Sequence, residues 1–208
     1  KNILYIMFWG TPDVSVSFCE NKYNVSNYIA EYYNTMSALS YVIVGLLFYN
    51  TKLKKLSKII ILLGMGTALL HSTLRFYGQW LDEISMLILS FYIIKEIRQM
   101  RFGFTTSEWY LLLLIFPYFL FERYFSYFFM VFSSLQIYTY TISRKKYDEC
   151  TREVYYLIKA YLIVLILSSI CWVCDQLFCD YVQNYQLHAV WHVGTSLALF
   201  FGLFALII

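Results

Sequence analysis

The chain has 208 residues, 60% of them hydrophobic, 21% aromatic and only 14% charged, with a mean hydropathy of +0.58. Soluble domains are nearer half apolar and a quarter charged, so this composition excludes an ordinary water-soluble enzyme and points to a membrane-embedded chain. The net charge of +3 comes from basic residues scattered among apolar runs, which excludes a nucleic-acid-binding patch. With 2 prolines, 8 glycines, no internal repeat and no linker, residues 1–208 read as one domain. The chain begins at Lys1 rather than Met, so no signal peptide can be judged.

A bilayer core takes about 20 predominantly apolar residues per helix. Seven stretches qualify in chain order, roughly 28–50, 56–74, 82–99, 106–121, 124–142, 155–175 and 187–208, which predicts an all-α bundle of seven transmembrane helices. The fourth and fifth form one aromatic-rich run broken only by Glu122-Arg123, read as a tight helical hairpin. Basic residues set the orientation. Lys52, Lys54, Lys55 and Lys58 follow the first span, Lys95, Arg98 and Arg101 the third, and Arg144, Lys145, Lys146 and Arg152 the fifth. The intervening loops carry only Arg75 and Arg123. Positive loops stay cytoplasmic, so the amino terminus is expected in the lumen or outside and the carboxyl terminus in the cytosol.

That topology gathers the unusual polar residues. His71 closes the second span, Asp82 opens the third, and His188 and His192 open the seventh, all towards the lumenal side. These are all the histidines of the chain, and ionisable groups are costly in a bilayer unless they serve a function. His188 and His192, at i and i+4, project from one helix face with Cβ atoms about 6 Å apart. With His71 they make a three-imidazole set that leaves a fourth tetrahedral position open, the pattern of a catalytic zinc site, although imidazole also suits copper, nickel and iron. Thr67 lies one turn before His71 on the same face, where its hydroxyl can meet a water or a substrate oxygen. Asp82, across a short turn, is placed to take a proton. Glu31, Asn34 and Ser37, at i, i+3 and i+6, form a polar set at the lumenal end of the first span. Asp175 is expected in the same cluster, or supporting a histidine from behind.

Four stretches, FCENKYNVSNYIAEYYNTMS (18–37), TALLHSTLRFYGQWLDE (67–83), CWVCDQLFC (171–179) and LHAVWH (187–192), occur in this order. They resemble the blocks of the alkaline ceramidases, within the CREST superfamily of seven-span membrane hydrolases and adiponectin-type receptors. The resemblance implies an intramembrane amidase in which His71, His188 and His192 hold zinc and Asp82 is the acid/base. Thr67 stands where the family has serine, keeping the hydroxyl and adding a methyl. Ceramide, or its dihydro or phyto form, would yield a sphingoid base and a fatty acid. The implied partners are that lipid and the bilayer, with the active site facing the lumen of the endoplasmic reticulum or Golgi; no protein partner is implied. A receptor of the adiponectin type would keep the triad but lack the amino-terminal block present here. A catalytically weak or inactive homologue is the sharper rival, because of Thr67.

The resemblance also implies a calcium site in SFCENKYNVSNYIAE, which this sequence has degraded. Glu20 and Glu31 match two ligands, but Ser17 replaces an aspartate, Phe18 a tryptophan that lends its carbonyl, and Lys22 an asparagine. Calcium takes 6–8 oxygens and its affinity follows the count of charged ligands, so tight binding is not expected. The Lys22 ammonium is expected to fill the place and pair with Glu20 and Glu31; the alternative leaves it in lumenal water. Cys19 and Cys179 match positions bridged in the family, which implies a disulfide on the oxidising side. Cys171 and Cys174 form an isolated C-x2-C inside a helix and read as packing, and Cys150 as a reduced thiol in a cytosolic loop. The sequon Asn24-Val25-Ser26 lies too near the first span for its use to be expected.

Overall fold

Backbone N–H and C=O groups must be satisfied within the chain where water is absent, and long apolar runs with few breakers do this as helices. The computed structural model describes residues 8–144, with the side chain of Arg144 left aside, and 151–208. Among them the helices are α1 (Tyr32–Ser37), α2 (Leu39–Leu47), α3 (Lys54–Thr73), α4 (Phe76–Phe102), α5 (Trp109–Phe121), α6 (Phe125–Arg144), α7 (Arg152–Leu177), α8 (Cys179–Val182) and α9 (Leu187–Ile207). No strand occurs among the described residues. Lys145, Lys146 and Cys150 lie outside them.

By length and composition α3, α7 and α9 can each cross a membrane, and α5 is a shorter apolar helix. α4 is 27 residues long but carries Asp82, Glu83, Lys95, Glu96, Arg98 and Arg101. In the packing, α3 lies between α2 and α4, while α7 lies along α9, which also meets α1 and α2. One core cluster joins Tyr41 of α2 and Phe48 just after it to Leu56, Ile60 and Leu63 of α3 and Leu203 of α9. Another joins Ile84 and Leu87 of α4 to Tyr118 and Phe128. Much of α7 faces outward with exposed Ile163, Ile166, Leu167 and Ile170, an apolar surface suited to lipid tails rather than to water.

The α3–α4 crossing is unusually close, and two glycines allow it. A Cβ on Gly66 would sit 2.9 Å from the backbone N of Asp82, and one on Gly78 would sit 2.7 Å from Cα of Leu70. Small residues at helix crossings let backbones approach where lipid offers no hydrophobic push. The crossing sets Thr67 directly against Asp82.

The bundle has two chemically different ends. At one, Glu108 bonds Lys95 at 2.7 Å and Lys55 at 3.5 Å, and accepts from the Tyr92 hydroxyl. At the other, Arg75 pairs with Asp13 at 3.2 Å, Arg123 donates to the Asp13 carbonyl at 3.2 Å, and the Asp13 carboxylate accepts the Phe76 N–H at 2.5 Å. Asp13 thereby caps the start of α4 from sixty-odd residues away, where a negative group opposes the helix dipole.

Several expected boundaries move. The first stretch is not one helix from 28 but α1 and α2, broken at Ala38. Ala30 and Glu31 instead bond the end of α3, with Ala30 N–H on the Ser72 carbonyl at 2.9 Å and Glu31 N–H on that of His71 at 3.0 Å. These bonds satisfy carbonyls that a helix C-terminus leaves orphaned, and tertiary pairing outweighs local helix preference. α4 begins at Phe76, so Asp82 sits nearly two turns inside the helix rather than opening it. The tight break between α5 and α6 falls at Glu122–Tyr124, as expected from Glu122-Arg123.

Candidate metal centre

His71 comes from the last turn of α3, and His188 and His192 from the first two turns of α9. All three are buried, and one donor atom from each lies within 4.8 Å of the others. The ring centroids are 4.6 Å apart for His188–His192, 4.9 Å for His71–His192 and 5.0 Å for His71–His188. The Phe18 ring closes over the set, 4.3 Å from His188 and 4.7 Å from His71.

The groups behind the rings determine which nitrogens are free. Nδ1 of His71 meets Glu31 Oε2 at 2.5 Å, so the proton sits on Nδ1 and the Nε2 lone pair is left over. Nδ1 of His192 meets Ser37 Oγ at 2.8 Å and the Asn34 carbonyl at 3.2 Å. Ser37 donates its one proton to that same carbonyl at 2.9 Å, so Nδ1 of His192 is the donor and Nε2 is again left over. His188 has its Nδ1 buried without a hydrogen-bond partner among the described residues. Clustered imidazoles with unclaimed nitrogens, two of them held in place through Nδ1, are the donor set that a divalent transition metal takes. The three residues therefore fit a metal ion.

Thr67 donates its hydroxyl to Asp82 Oδ1 and also approaches the Leu63 carbonyl at 2.9 Å. One hydroxyl proton cannot serve both. With Asp82 ionised it points to the carboxylate; with Asp82 protonated, Asp82 donates and Thr67 turns to Leu63. The pair can hold or release a proton without leaving a buried group unpaired. Thr67, Asp82 and all three histidines line one cavity of about 320 Å³, whose remaining walls are mostly aromatic and aliphatic.

The amino-terminal segment is built onto this centre by its acids. Glu31, with no exposed surface, accepts from His71, from Asn34 Nδ2 at 3.1 Å and from the Lys22 ammonium. Lys22 also donates to the carbonyls of Phe18 at 2.7 Å and Glu20 at 2.9 Å. It does not pair with the Glu20 carboxylate, as the sequence led us to expect. That carboxylate accepts the N–H groups of Tyr33 at 2.7 Å and Asn34 at 2.8 Å, capping α1. Burial holds the Glu20 carboxyl above its ordinary value, and these two N–H groups offset only part of that rise. Ser17 is exposed and stays outside the cage, its carbonyl accepting from Gln176 at 3.3 Å. Asp175 accepts the backbone N–H of Cys19 at 3.3 Å, and its own carbonyl meets the Cys19 sulfur at 3.2 Å. Cys19 and Cys179 are bonded, with Cα atoms 5.3 Å apart, and Cys171 and Cys174 are free.

A second polar group in the cavity wall escaped the sequence reading. Glu83, next to Asp82, accepts from Tyr118 at 2.8 Å and Gln79 at 2.7 Å, and Gln79 continues to Ser15. The i, i+4 spacing of Gln79 and Glu83 was the available signal.

Fold and site define an all-helical protein of membrane type with a buried three-histidine centre beside a hydroxyl–carboxylate pair. Comparison with known proteins places it more closely. The family model described as Ceramidase matches residues 10–208, and the chain belongs to that family. An alkaline ceramidase of Arabidopsis thaliana is 29% identical over 211 residues, covering 91% of this chain and 81% of the relative. Alkaline ceramidase 1 of Mus musculus is 27% identical, covering 90% and 77%. Putative alkaline ceramidase dcd3A of Dictyostelium discoideum is 27% identical, covering 91% and 84%. The membership expected from the four sequence blocks is thus established.

Proposed function

We propose that the protein is a zinc-dependent amide hydrolase that cleaves ceramide within the membrane into a sphingoid base and a fatty acid. One observation carries the reading: the metal-ready histidines and the Thr67–Asp82 pair open into a single cavity with apolar walls. Residues 1–208 would form one domain of seven spans, with the triad end in the lumen of the endoplasmic reticulum or Golgi and the basic end cytosolic.

His71, His188 and His192 hold the ion, and Glu31 and Ser37 fix two of the rings. Bound zinc would supply a Lewis acid that polarises the amide carbonyl and acidifies the attacking water. Asp82 takes the water's proton at its carboxylate and gives it to the leaving nitrogen. Thr67 keeps the Asp82 carboxylate aligned in both states. Phe18 covers the centre, and the aromatic walls keep both tails out of water. The hydroxyl–carboxylate contact survives the exchange of serine for Thr67, which favours an active enzyme over an inactive homologue. The test is incubation of purified protein with short- and long-chain ceramides, with and without a zinc chelator. Release of sphingoid base that the chelator abolishes is expected; no release from any ceramide would overturn the reading.

Thr67→Ser is expected to be tolerated or to raise turnover. Thr67→Ala should cost roughly 10–1000-fold, the range for losing one positioned hydrogen-bond donor at a reacting centre. Full turnover in Thr67→Ala would reduce this residue to packing.

The cage around Lys22 bears on calcium. Its ammonium already meets the Glu31 carboxylate and the Phe18 and Glu20 carbonyls, so a built-in cation stands where the family resemblance implies calcium. Turnover should therefore be insensitive to EGTA, and Lys22→Asn, which empties the cage of its ammonium and puts an amide oxygen in its place, should introduce calcium dependence. Loss of wild-type turnover in EGTA, restored by added calcium, would refute the assignment.

A further inference from the structure

The cavity at the histidines is the first of three in line. A chamber of about 60 Å³ and another of about 80 Å³ follow it. Neighbouring chambers share walls: Gln136 and Phe132 line the first and second, and Tyr161 and Leu199 the second and third. One face of α4 shows the alignment. Asp82 and Met86 line the first chamber, Met86, Ser90 and Ile93 the second, and Ile93, Ile97 and Met100 the third, all at helical spacing.

Building on the hydrolase reading above, we infer that these chambers are one channel for the acyl tail, and that the enzyme takes lipid amides with acyl chains of about 20 carbons. The length follows from geometry. Met100 lies about 27 Å beyond Asp82 at 1.5 Å per helical residue. An extended alkyl chain advances about 1.3 Å per carbon, given C–C bonds of about 1.52 Å. The acyl half of the substrate carries no polar group beyond its carbonyl, and the second and third chambers are mainly apolar, the second aromatic as well as aliphatic and the third aliphatic. The hydroxylated sphingoid half suits the first chamber, whose walls are mainly apolar but where Glu83 and Asp82 supply polar partners.

Two side chains narrow the passage. Gln136 donates across it to Ser90 at 3.0 Å, at a depth of about 12 Å below Asp82. Ser90 spends its own proton on the Met86 carbonyl at 2.8 Å, so Gln136 can swing aside without stranding that hydroxyl. Tyr161 narrows the entrance to the last chamber. Facing it, Gly202 leaves space, since a Cβ there would lie 3.3 Å from the Tyr161 ring.

The test uses purified protein and ceramides of one sphingoid base with acyl chains from about 8 to about 24 carbons, bracketing the channel length. Wild-type kcat/KM should rise with length to about 20 carbons. Leu199→Trp and Gly202→Phe should each cut the longest substrates by at least roughly tenfold and spare the shortest, because every methylene denied burial weakens binding. Spared short-chain turnover also shows that a variant is folded, and either variant suffices. Equal losses at all lengths in both, or an optimum that follows the sphingoid base instead, would overturn the channel. Binding of radiolabelled fatty acids of the same lengths is measured in parallel. Length-graded binding that the variants truncate supports the channel even if no ceramide is cleaved, in which case only the hydrolase reading falls; binding without length dependence overturns the channel itself.

Discussion

His192→Ala is expected to yield a folded protein that retains no stoichiometric metal and shows no ceramide turnover. Two of three ligands cannot hold the ion against water, and the lost ring is the one anchored by Ser37 and the Asn34 carbonyl. Elemental analysis of wild-type and variant protein reads this directly, with about one equivalent of zinc expected in the wild type for a three-histidine centre. Wild-type protein, with all three histidines intact, that binds only traces of metal would remove the proposed chemistry. The variant also separates metal loss from misfolding. His192 makes no backbone-capping bond through its side chain beyond the Asn34 contact, so helix content should be retained.

Asp82→Asn should behave differently. It leaves the ligands untouched, so the metal stays, while turnover falls by roughly 100- to 10,000-fold as the proton carrier is lost. The amide still fits the Thr67 hydroxyl and the close α3–α4 crossing at Gly66, so stability should change little. Retained metal with full turnover would mean that another group moves the proton. Glu83 would then be examined next, since it lines the same cavity. Asp175 is a weaker candidate, since it is committed to the backbone N–H of Cys19.

The histidine centre was legible in the sequence because few ionisable groups interrupt the apolar runs, and helical spacing puts His188 and His192 on one face. The helical class was legible for the same reason. The late start of the first helix at Tyr32 was not, because Ala30 and Glu31 satisfy orphan carbonyls of α3, a partner forty residues away that no local propensity encodes. The early start of α4 was hidden likewise: Asp13 caps it from the far amino-terminal segment. Lys22 was placed near the right acids, but the sequence could not tell a carboxylate from a carbonyl of the same residue. Gly66 and Gly78 passed unnoticed because a missing side chain carries no signal until a neighbouring backbone is seen against it.

The link between Cys19 and Cys179 ties the roof of the centre to the segment that leads into α9. It closes a span of 160 residues, a constraint worth roughly 5 kcal/mol against the unfolded chain in the loop-entropy account. Its first cysteine is the residue after Phe18, whose ring roofs His71 and His188. The same short segment is held by the Lys22 ammonium on the Phe18 carbonyl and by Asp175 on the Cys19 N–H. Three fastenings of different chemistry share one task, so a change that removes one of them, thiol reduction included, leaves two others to keep the aromatic cover in register over the histidines.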